Sequence, residues 1–137
     1  MRRLTLVLSL FLFGCSSTGP NDLPSLQFES QVQVGIPTLP PSAIGGEGMI
    51  KVTGVVHTEG TGFTLRGRVS VTGPNALTLD VDAEDNAPGL PFAVQNLYRA
   101  TLGRMAPGDY DLSINHNIHD PAPGTHLRVY HQTVHVN

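Results

Sequence analysis

A short histidine-rich stretch, "HNIHD" at residues 116–120, contains the side chains best suited to hold a metal ion. Imidazole nitrogens and a carboxylate are ligands that copper and zinc accept. The stretch follows an alternating run and precedes "PAPG", so we expect it to enter a turn. In such a turn His116, His119 and Asp120 could converge, with His126 nearby across the hairpin. These residues are therefore a candidate metal site.

A second polar cluster, "DAEDNAP" at residues 82–88, offers several oxygen ligands. It resembles the calcium-binding linker of cadherins, and calcium takes six to eight oxygens. Cadherins place this run at the end of a domain, whereas here about fifty residues of predicted strand follow it. Glu84 also replaces the asparagine of that family. Calcium binding is therefore not our interpretation of the cluster.

Cross-strand ion pairs explain part of the same cluster. If the flanking strands pair across the "TGPNA" turn at residues 72–76, Arg68 lies opposite Asp80 and Arg66 lies opposite Asp82. Opposite charges directly across a strand pair stabilise a sheet by about 0.2–1 kcal/mol. We therefore predict a structural role for these four side chains.

Neither catalysis nor nucleic-acid binding is indicated by the sequence. There is no Gly-x-Ser-x-Gly elbow, no HExxH helix and no phosphate-binding glycine loop. The formal net charge of −3 is also not that of a nucleic-acid-binding domain. We predict a protein that is not an enzyme and carries no cofactor.

The elements that position these residues are predicted to be strands. The chain has 15 glycines and 11 prolines, and no helical period persists over ten residues. Segment 35–48, "GIPTLPPSAIGGEG", is predicted to be an irregular loop because its prolines cannot complete a strand ladder. The alternating runs predict seven strands, at residues 26–34, 49–57, 63–71, 77–83, 92–102, 109–116 and 127–136.

Tyr110 follows Pro107 and Gly108 and opens one of these strands. This arrangement resembles the tyrosine corner of immunoglobulin-like and fibronectin type III domains, in which the hydroxyl bonds to upstream backbone. Transthyretin-like repeats have similar "PG-x-Y" segments. The resemblance implies a single immunoglobulin-like, antiparallel β-sandwich of about seven strands. It also implies a bond from the Tyr110 hydroxyl to backbone near residues 104–107.

The only cysteine, Cys15, follows a basic head and a ten-residue apolar run. That run is too short to span a bilayer, and the layout is that of a secretory signal peptide. Leu12, Gly14 and Cys15 resemble the lipobox of bacterial lipoproteins. The resemblance implies that Cys15 receives a diacylglyceryl group and becomes the acylated N-terminus. Ser16, in place of an aspartate, favours sorting to the outer membrane.

These patterns predict a signal peptide at residues 1–14, a short flexible tether at 15–25 and a β-sandwich at 26–137. The expected function is that of a lipid-anchored cell-envelope protein. It would be held in the membrane, most favourably the bacterial outer membrane, by the lipid on Cys15. Its sandwich would act as a non-catalytic binding or accessory module for another envelope protein. The alternative is a periplasmic copper- or zinc-binding lipoprotein that uses the His116-His119-Asp120 turn.

Overall fold

In the part of the chain that the structure describes, the alternation of apolar and polar residues produces eight β-strands. The computed structural model describes residues 22–86, 88–119 and 125–137, so the predicted signal peptide, Cys15 and Asp120 lie outside the described residues. The described strands form two four-stranded sheets, which confirms the predicted all-β sandwich. The strands are β1 (Ser25–Gln33), β2 (Ser42–Gly46), β3 (Met49–Thr58), β4 (Phe63–Gly73), β5 (Ala76–Asp85), β6 (Val94–Gly103), β7 (Gly108–His119) and β8 (Thr125–Val136).

The first sheet has the strand order β1-β6-β3-β2, and the second has the order β4-β5-β7-β8. All neighbouring strands are antiparallel except β5 and β7, which pair in parallel. The sandwich therefore differs from the prediction by one additional strand and one parallel pair. The parallel pair arises because β6 returns the chain along the other sheet, so that β7 starts at the same end as β5.

The strand registers define two ends of the sandwich. Ser25 lies opposite Gly103, and Met49 also pairs with Gly103, so these residues mark what we call the lower end. The upper end carries the connections that follow β1, β3 and β5. Since β1 begins at Ser25, one residue inside the predicted tether, the tether joins the domain at the lower end.

Strand β2 lies inside the segment that was predicted to be an irregular loop. It pairs with β3 from Ser42 opposite Thr53 to Gly46 opposite Met49. The prediction was wrong here because the prolines end at Pro41, which leaves the next five residues free to donate to the ladder. Strand β2 pairs with only the lower half of β3, and the upper half of β3 borders the candidate site described below.

Tyr98 forms the centre of the core between the sheets. Its side chain is fully buried, and its ring stacks on Phe28 with the ring centroids 5.7 Å apart. A Cβ atom at Gly54 would overlap the Tyr98 ring, so a side chain at this position of β3 would displace the tyrosine. Aliphatic side chains of both sheets complete the core, among them Ile50, Val52, Leu79, Val81, Leu102, Leu112 and Ile114.

Tyr110 makes the bond that its sequence context predicts. Its hydroxyl donates to the carbonyl oxygen of Ala106 at 2.9 Å, within the predicted range of residues 104–107. The side chain is buried at the start of β7. It therefore links the β6–β7 connection to the lower end of the core.

We expect Tyr110→Phe to lower the free energy of unfolding by about 0.5–1.5 kcal/mol, because one net hydrogen bond is lost while the ring packing is kept. Thr133→Val is the control, since it removes a hydroxyl whose bond, to Asp111, is exposed to solvent. Urea denaturation of the two variants measures the difference. An unchanged urea midpoint for Tyr110→Phe would show that this tyrosine stabilises the fold only through the packing of its ring.

Candidate functional site

An open cleft of about 370 Å³ lies toward the upper end of the sandwich, where β3 and β8 face each other beside residues 38–41. Ligand sites are mostly apolar clefts of about 300–1,000 Å³ that contain a few polar groups, and this cleft fits that description. Its lining is largely aliphatic and includes two imidazoles. The main lining side chains are Leu39, Pro40, Pro41, Val55, Val56, His57, His116, Ile118, Leu127 and Val129.

The cleft is a consequence of the short strand β2. Only residues Met49–Thr53 of β3 pair with β2, so none of the described strands lies beside the upper part of β3 on that side. The preceding chain passes this edge with Pro40 and Pro41, which have no backbone N–H to donate. The sandwich therefore stays open between the upper halves of β3 and β8.

His116 lies at the inner wall of the cleft and links the two sheets. Its side chain is only 8% exposed, and its Nε2 atom lies 3.0 Å from the hydroxyl of Tyr98 on β6. The two rings meet edge to face. Burial lowers the pKa of His116 to about 4 and raises the pKa of Tyr98, so both groups are neutral at pH 7. The neutral ring of His116 therefore contributes a polar group to the lining of the cleft.

The structure separates the two histidines of the predicted metal site. Strand β7 does not end at His116 but continues to His119. Because successive side chains of a strand point to opposite faces, His116 faces the core and His119 faces outward. The Nε2 atom of His119 lies 3.6 Å from Oδ1 of Asp82, and His126 bonds to Asn117. The expected convergence of His116 with His119 is therefore wrong.

The outer face of the second sheet carries the predicted charged residues. Arg66 lies opposite Asp82 and Arg68 lies opposite Asp80, which is the predicted register. The bonded pair is nevertheless diagonal, because Nε of Arg68 contacts Oδ2 of Asp82 at 2.9 Å. Asp82 is only 5% exposed, although its position belongs to the outer face.

Amide side chains of β7 complete this polar network. Asn117 donates to Oδ1 of Asp82 at 2.9 Å, and Asn115 donates to Oδ1 of Asp80 at 2.8 Å. Burial by itself would raise the pKa of Asp82, but the bonds from Asn117 and Arg68 outweigh it and hold the pKa below its usual value. Sequence reasoning missed both asparagines because they reach the aspartates from a parallel strand that is distant in the chain. The sequence did indicate that Asn115 and Asn117 lie at outward-facing positions of β7, on the same face as the aspartates.

Comparison with known proteins gives no match. No protein-family model, no curated protein and no solved structure is significantly similar to this chain. In the part of the chain that the structure describes, no helix has the length and apolar character needed to cross a membrane.

Exposed apolar side chains concentrate at the upper end of the sandwich. Among the described residues, six of the eight large exposed ones lie at the upper end of β1 or β8 or in the upper connections. Only Leu23 and Ile44 lie elsewhere. The six are Val32, Val34, Leu39, Leu90, Phe92 and Leu127, which we call the upper apolar cluster.

Proposed function

We propose that this chain is a lipid-anchored protein of the bacterial cell envelope, most favourably of the outer membrane, whose sandwich is a non-catalytic module that binds an envelope protein. The lipobox-like residues around Cys15 support the anchoring. The observation that carries the binding function is the upper apolar cluster, which lies at the end of the sandwich opposite the tether.

The position of the tether bears on which way the upper apolar cluster faces relative to the membrane. The tether joins β1 at Ser25, at the lower end, and a ten-residue strand such as β3 is about 33 Å long. A lipid on Cys15 would therefore hold the lower end toward its membrane and direct the upper apolar cluster away from it. Six exposed apolar side chains at this end offer a surface that another protein could cover.

The charges beside the cluster favour a protein as the partner. Glu59 and Asp85 are exposed and line the same surface depression as Leu90. Carboxylates at this position would repel the anionic headgroups of a second membrane. A copper or zinc function gains no support from the described geometry, because His116 and His119 lie on opposite faces of their sheet.

We expect Cys15→Ala to abolish incorporation of a fatty-acid analogue and to release the protein from the membrane fraction. The physical reason is that two or more acyl chains are needed for stable anchoring, at about 0.8 kcal/mol for each buried methylene. Ser16→Ala is the matched control and should keep its label. An unlabelled wild-type chain, or a label retained by Cys15→Ala, would contradict the anchoring.

Photo-crosslinking in cells tests the binding half of the proposal. A crosslinking amino acid at Leu39 or Phe92 should form an adduct with another envelope protein. The same group at Gln27, which is exposed on the outer face of the first sheet, should not. No adduct at the upper positions, or equal adducts at Gln27, would refute binding through the upper end.

A further inference from the structure

We draw no further inference here: the strongest candidate, the apolar cleft between the upper halves of β3 and β8, belongs to the candidate site already described, and nothing in the structure shows what covers it.

Discussion

Gly45→Ala is expected to lower the free energy of unfolding by about 3 kcal/mol, the upper part of the range for overpacking a close contact. A Cβ atom at this position would overlap the backbone carbonyl oxygen of His135 on β8. The obstacle is main chain, so no rotamer change can remove it. Relief requires β2 to move away from β8, which would open the side of the sandwich that β2 closes.

Gly46→Ala provides the matched control one residue further along the same strand. A Cβ atom at Gly46 would meet only the Met49 side chain, at an ordinary 4.0 Å. Its stability should stay within about 1 kcal/mol of wild type, since the loss of a glycine also reduces the entropy of the unfolded chain. Chemical denaturation of both variants gives the comparison. Equal stabilities would show that β2 and β8 are not held in the close contact described here.

The stability of the wild-type protein is expected to fall by roughly 3 kcal/mol as the pH is lowered from 6.5 to 4, because of His116. Burial lowers the pKa of His116 from 6.5 to about 4 in the folded state. Between these two values the unfolded chain binds the proton and the folded chain does not. Stability contributed by this group is therefore complete above pH 6.5 and is lost as the pH falls through this window.

His116→Gln separates this effect from other acid-sensitive groups. Glutamine keeps a polar partner for the Tyr98 hydroxyl but does not titrate, so the variant should show a flatter dependence of unfolding free energy on pH between 6.5 and 4. The pKa of Asp82 is lowered from 3.8, so its contribution is lost at lower pH, outside this window. Identical slopes for the two proteins would show that His116 is not the group responsible.

The candidate site could be predicted only in part. The register of Arg66 and Arg68 against Asp80 and Asp82 could be predicted because the two strands are joined by one short turn and their apolar faces must match. The burial of Asp82 did not follow, since it depends on Asn117 from a strand that is far away in sequence. The cleft was also not predictable, because it depends on how β2 lies between β3 and β8, and these strands are far apart in the sequence.

The sequence by itself determined seven of the eight described strands and the inward or outward direction of most of their side chains. These features follow from period-two alternation and the chemistry of short turns. The bond of Tyr110 was implied by the resemblance to a tyrosine corner. Only the tertiary structure decided that β5 and β7 pair in parallel, that β7 continues to His119, and that His116 meets Tyr98 across the sheets. The alternation of apolar and polar residues predicts which face of a strand is buried, but it does not predict which strand lies beside it. That choice is made by non-local packing, and it brings His116 to Tyr98 and Asn117 to Asp82.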